Sequence, residues 1–122
     1  MIRLEEITKT YRGAGEPALR EVSLDIQRGE FVFLVGASGS GKSSLLRMML
    51  REEKPDSGNV LVLGENLLRI PARRVPQFRR QLGVVFQDFR LLTNKTVYQN
   101  IAFALQVIGK PKAFIETAVP DV

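Results

Sequence analysis

Five apolar residues running into a loop studded with glycine constrain this chain more than anything else in it. Residues 31–35 read FVFLV and residues 36–43 read GASGSGKS. A continuous β-branched and aromatic run of that kind predicts a strand buried on both faces. The glycines let the main chain adopt conformations closed to other residues, so that successive N–H groups turn inward towards an anion. From Lys42 onward, KSSLLRMMLREE spaces leucine and methionine into one helical stripe. A helix opening directly out of the loop adds unpaired amides and a favourable dipole. Gly36-Ala37-Ser38-Gly39-Ser40-Gly41-Lys42-Ser43 matches G-x-x-x-x-G-K-[ST] at every defined position. In that pattern the loop amides, with Ser44 beside them, cradle phosphates, Lys42 reaches the β- and γ-phosphates, and the Ser43 hydroxyl ligates Mg²⁺. The expected ligand is a nucleoside triphosphate together with Mg²⁺.

The rest of the chain reads as an alternating pattern around this loop. Ile2, Leu4 and Ile7 predict a first strand and LREVSLDI, residues 19–26, a second, joined by the turn-rich RGAGEP. The helix from Lys42 is expected to run to the Pro55-Asp56-Ser57-Gly58 turn, followed by a short strand NVLVL. Pro76 suits the first turn of a short helix, and LGVVF, residues 82–86, predicts another buried strand. Thr96 with Gln99 has capping-box spacing ahead of VYQNIAFALQVI, which Gly109 and Pro111 close. Strands that first cluster and then alternate with helices predict an α/β domain, with a parallel core sheet and a small antiparallel subdomain at its N-terminal side.

Composition narrows the class. At 122 residues, 44% of them apolar, the chain suits one modest globular domain and no second one. Cysteine is absent, so neither a disulfide nor a thiolate metal site can form. No apolar run approaches the roughly 18 residues that span a bilayer. Acidic residues stand near the N-terminus where a signal peptide would be apolar, so the expectation is a soluble cytoplasmic chain. Residues 66–115 hold nine basic side chains against Asp88 alone. That asymmetry fits either a polyanionic neighbour or a solvated helix face. The arginines lack the interleaved aromatic residues of a nucleic-acid platform, so no nucleic-acid partner is expected.

Tyr11, ahead of the loop, and Phe86-Gln87-Asp88, after a later predicted strand, join SGSGKSS and PDSGNV in a pattern that resembles the N-terminal half of an ABC-transporter ATPase domain. Taken alone, Tyr11 fits ordinary packing and Gln87 a polar strand end. The resemblance implies that Tyr11 stacks on adenine and that Gln87 contacts Mg²⁺ and the attacking water, alongside Lys42 as the catalytic pair. VVFQDFRLLTNKTVYQNIAFAL, residues 84–105, is similar to the cell-division branch of the family. That branch implies an integral membrane partner of FtsX type, contacted by Phe89, Arg90, Leu91, Leu92 and Tyr98. It also implies a homodimer of ATPase domains and a peripheral location on the inner face of the plasma membrane. Lipoprotein-release and macrolide-export ATPases share these motifs and stand as the alternative, and a non-hydrolysing binding module is another.

Three family elements have no counterpart in these residues. There is no LSGGQ-like signature, no apolar strand ending in Asp-Glu, and no histidine. The C-terminal half of the domain is thus expected to be absent, and turnover by these residues alone is not expected, since no group stands ready to activate water.

Overall fold

The computed structural model describes residues 1–121. They divide into two compact units, Met1–Gly83 and a second that begins at Val84. The first holds strands β1 (Ile2–Lys9), β2 (Leu19–Ile26), β3 (Ser57–Val62) and β4 (Glu65–Asn66), with helices α1 (Lys42–Met49) and α2 (Val75–Arg79). Its sheet has the order β2-β1-β3-β4, and every pairing is antiparallel.

β1 sends both Leu4 and Ile7 into the core, although strict alternation would put residues three apart on opposite faces. A bulge resolves the conflict. Leu4 and Ile7 face Leu24 and Val22 on β2, while Glu5 and Thr8 face Asn59 and Ser57 on β3, so β1 gains one residue on both neighbours. Glu6, at φ 51°, absorbs the extra step. The bulge presses β1 onto β3 at Gly58, whose φ is 92°. A Cβ there would meet the Glu6 carbonyl oxygen at 2.6 Å and the Glu5 carbonyl oxygen closer still. Only glycine fits.

The core of this unit joins Leu4, Ile7, Leu19, Val60 and Val62 of the sheet to Leu45 and Met48 of α1, with Leu67, Ile70 and Phe78 from the stretch after β4. Burying a leucine or methionine stabilises by about 1.5–3 kcal/mol, so Leu45 and Met48 are what hold α1 to the sheet. α1 stops at Met49, earlier than its apolar stripe predicts. Arg51 takes a left-handed φ of 56°. Its Nε donates to the Leu67 carbonyl at 2.6 Å, and Arg79 donates to the carbonyls of Leu50 and Arg51 at 2.8 and 3.0 Å. Arg79 thus satisfies carbonyls that a continuing helix would have used, while Arg51 ties the helix end to the segment after β4.

Two sequence expectations need correction. Residues 31–35 and 82–86, expected as buried strands of a parallel sheet, pair with no strand among the described residues. Phe31, Val35 and Val85 are 83%, 84% and 100% exposed. A strand buried on both faces needs neighbouring strands at its edges and covering layers above and below. The described residues supply neither. Phe31 and Phe33 meet edge to face at 5.0 Å, as side chains on one side of an extended segment can.

The second unit contains α3 (Val97–Val107) and α4 (Lys112–Ala118). Thr96 Oγ1 accepts from the Gln99 amide at 3.2 Å and Gln99 Oε1 from the Thr96 amide at 3.1 Å, the reciprocal cap expected. Ala102, Ile115 and Val119 form its small core, flanked by Ile101 and Leu105. Among the described residues, no helix is long and apolar enough to cross a membrane.

Replacing Gly58 by alanine combines a left-handed backbone with a main-chain clash. We expect Gly58→Ala to cost more than about 2 kcal/mol in chemical denaturation, whereas Gly13→Ala, at positive φ but in open space, costs about 1–2 kcal/mol. Equal losses would show that the close approach at Gly58 has no energetic weight.

Candidate functional site

The glycine loop is seated on the sheet by one close approach. Gly41, at φ 89°, opens α1, and a Cβ on it would meet the Ala18 carbonyl oxygen at 2.5 Å and Leu19 Cδ2 at 2.8 Å. No side chain caps the helix. Its first main-chain bond runs from Leu45 N–H to the Gly41 carbonyl at 3.0 Å. The amides of Lys42, Ser43 and Ser44 therefore have no main-chain partner among the described residues. Lys42 turns back across the loop: its Nζ donates to the carbonyls of Gly36 and Ala37 at 2.7 and 2.6 Å and lies 3.3 Å from Ser40 Oγ. An ammonium has three protons, and the loop presents three acceptors. The Ser40 amide closes the turn onto the Ala37 carbonyl at 3.2 Å. The loop thus holds a ring form of its own, and residues 36–40 face solvent.

The donor set suits Mg²⁺. That ion takes hard oxygen ligands and commonly needs only one or two from the protein, with waters and phosphate oxygens completing its shell. Ser43 stands on the first turn of α1, exposed, its hydroxyl bonded to nothing among the described residues. Among those residues no cluster of three or more carboxylates or other metal-ligating side chains competes for the ion.

Tyr11 is brought to the same helix. Its hydroxyl lies 2.8 Å from Ser44 Oγ and 2.5 Å from Glu53 Oε2. Arg47 Nη1 donates to Glu53 Oε1 at 3.1 Å. Asp56 pins the segment that carries the ring, accepting from the Thr10 amide at 2.7 Å and from Lys9 Nζ at 3.1 Å while its own amide donates to the Thr8 carbonyl at 2.9 Å. The hydrogen bond from Tyr11 holds the Glu53 carboxyl below its ordinary range; burial opposes this, and Arg47 adds to it. The Thr10 amide, then Lys9, lowers Asp56 in the same way.

The remaining sequence-predicted residues lie in the second unit. Gln87 sits in an exposed turn, its amide bonded to nothing among the described residues. Phe89 and Arg90 take left-handed φ values of 55° and 49°, and the Arg90 guanidinium stacks on Phe86 at 3.6 Å. Leu92 and Tyr98, with Ala102, Phe103 and Gln106, line a groove of about 330 Å³, while Phe89, Arg90 and Leu91 stand outside it. The residue that shapes this loop is Asn100. Its Oδ1 accepts from the Leu92 amide at 2.7 Å, and its Nδ2 donates to the carbonyls of Leu92 and Thr96 at 3.1 and 2.9 Å.

The family described as ABC transporter matches residues 19–121. The chain belongs to the ABC transporter family. Its fold is part of an ABC ATPase cassette. It is 50% identical over 122 residues to the cell division ATP-binding protein FtsE of Mycobacterium tuberculosis, covering 100% of this chain and 53% of that protein. FtsE of Bacillus subtilis is 46% identical over the same length, again with 53% covered. Among solved structures, the dimeric post-hydrolysis state of the cassette MJ0796, bound to ADP and Pi, superposes with a TM-score of 0.87 at 31% identity. That likeness covers 99% of this chain and 55% of the cassette. The chain spans about half the length of the relatives it matches.

Glu53, Asp56 and Asn100 shape this part of the ABC chain without a motif to mark them. Asp56 reads as a turn residue, Glu53 finds its tyrosine partner 42 residues away, and Asn100 bonds main-chain groups within its own loop. Glu53 and Asp56 both have folded-state values below their unfolded ones. Their stabilisation is complete above the ordinary carboxylate value of about 4 and is lost as pH falls through the lowered values. We expect a denaturation midpoint that is flat between about pH 6 and 8 and falls below about pH 4, with Glu53→Gln removing part of the fall. A midpoint that rises on acidification would contradict this sign.

Proposed function

We propose that this chain is the nucleotide-binding part of an ABC ATPase of the cell-division type. Residues 1–122 are one partial domain, with its phosphate loop at 36–43 and its glutamine loop around Gln87. The observation that carries the reading is the complete loop, whose uncapped helix start and Lys42 clasp gather main-chain donors and one ammonium at an exposed point. On this reading Lys42 exchanges a loop carbonyl for phosphate oxygens, and the amides from Gly36 to Ser44 take the rest of the triphosphate. Tyr11 receives the adenine and Ser43 supplies a protein oxygen for Mg²⁺; the family resemblance alone makes Gln87 the second candidate ligand. The ion, when bound, neutralises charge on the β- and γ-phosphates. Gln87 orients water.

The FtsE relatives support placing the activity in cell division, at the inner face of the plasma membrane with an integral membrane partner of FtsX type. Phe89, Arg90, Leu91, Leu92 and Tyr98 are the proposed contacts. The exposed Leu91 and the groove beside Leu92 and Tyr98 suit an apolar helix from that partner. The dimeric cassette supports pairing of two such domains. These 122 residues have no histidine, no LSGGQ-like segment and no strand ending in Asp-Glu, so by themselves they bind nucleotide without turning it over.

Calorimetry with MgATP tests the reading. Charge-assisted hydrogen bonds are worth about 1.5–3 kcal/mol each, so Lys42→Ala is expected to weaken binding at least about tenfold. Equal heats from both proteins would overturn the site. Steady phosphate release by the 122-residue chain, abolished in Lys42→Ala, would overturn the absence of turnover.

A further inference from the structure

Glu53 lies beyond the end of α1, yet the chain reverses to bring it back along the helix. The amides of Glu52 and Glu53 both donate to the Arg47 carbonyl, at 2.8 and 3.3 Å. Both carboxylate oxygens of Glu53 are then engaged, Oε1 by Arg47 at 3.1 Å and Oε2 by the Tyr11 hydroxyl at 2.5 Å. Proton inventory fixes the direction of the chain of hydrogen bonds. A carboxylate only accepts, and a phenol has a single proton. Tyr11 therefore donates to Glu53, and Ser44, 2.8 Å from the phenol oxygen, donates to Tyr11. A tyrosine side chain can move between staggered χ1 rotamers unless its surroundings hold it in one. Here the far end is held by an ion-paired carboxylate, and Lys9 Nζ stands 5.7 Å over the ring.

We propose that Glu53 is a positioning residue of the nucleotide site, fixing the Tyr11 ring through its hydroxyl as the flat surface that receives the purine base. The inference rests on the reading that the phosphate loop and Tyr11 hold one nucleotide, and it adds a division of labour. Ser44 gives its main-chain amide to the phosphate side and its hydroxyl to the base side. Glu53 touches neither part of the ligand and acts only through Tyr11.

A ligand without a base separates the two halves. Binding of MgATP and of magnesium tripolyphosphate is measured by calorimetry for the 122-residue chain and its variants. An aromatic face contributes a modest amount beyond burial, so Glu53→Ala is expected to weaken MgATP about two- to tenfold while tripolyphosphate binding is unchanged. Glu53→Gln keeps an acceptor oxygen and restores most of the loss. Tyr11→Phe, which removes the hydroxyl alone, gives the same loss as Glu53→Ala, and the double variant adds nothing to it. Lys42→Ala weakens both ligands. The inference is overturned if Glu53→Ala lowers both ligands alike, as a merely structural residue would, if it changes neither, or if its effect adds to that of Tyr11→Phe. A wild-type chain that captures neither ligand would bring down the nucleotide reading itself, and this inference with it.

Discussion

The contact between Gly41 and the main chain of Ala18 is the constraint on which the site depends. At that residue the loop ends, α1 begins and the polypeptide touches Ala18, just before β2, and Leu19, its first residue, with no room for a Cβ. Leu19, against which Gly41 also packs, is a member of the core. The loop is therefore referred to the hydrophobic interior through Leu19, and Gly41 itself adds no side chain that could change rotamer. Glycine costs conformational entropy on folding. That cost is offset here because the same absence of a side chain permits both the left-handed turn and the approach.

A second set of interactions fixes the opposite end of α1. Arg79 occupies the Leu50 and Arg51 carbonyls at the helix terminus and Arg51 donates to the Leu67 carbonyl after β4, while Leu45 and Met48 hold the middle of the helix to the sheet. Asp56 fastens the following turn to the end of β1, and Tyr11 follows two residues after Lys9. α1 is thus clamped at its start by a steric fit, along one face by apolar packing and at its end by charge-assisted hydrogen bonds. These differ in their response to conditions. The apolar and steric parts carry no charge for salt to screen or pH to titrate, whereas the pairs of Lys9 with Asp56 and Arg47 with Glu53 are weakened by screening.

The parts legible in the sequence are those encoded by near neighbours. The loop follows from a short motif, the cap of α3 from Thr96 and Gln99 three apart, and β2 from alternation within its own span. The bulge at Glu6 was not legible, because it depends on Gly58, fifty-two residues away, and no local residue announces it. The early end of α1 was missed for the same reason. Its stripe continues past Met49, but Arg51 turns left-handed there and distant Arg79 takes the Leu50 and Arg51 carbonyls. α4 went unread because a seven-residue helix directly behind Pro111 shows too little periodicity to stand out. Glu53 is one carboxylate in the run Glu52-Glu53-Lys54, and nothing in that run distinguishes it from its neighbour.

The segments 31–35 and 82–86 show how hydropathy records an environment. Each has the continuous apolar character of a strand covered above and below, and neither is paired among the described residues. A conventional account would make the strand before the phosphate loop the rigid post from which the loop hangs. Here the post is unpaired, and the loop still keeps its ring. Lys42 closes it from within, Gly41 locks it to Ala18, and Leu45 and Met48 anchor the helix that leaves it. Among the described residues the geometry of the glycine loop is thus carried by the helix side and the antiparallel sheet rather than by the apolar run before it. That separates two features which the motif fuses in the sequence: the glycines and Lys42 shape the loop, and the apolar run before them has the hydropathy of a strand that needs covering layers.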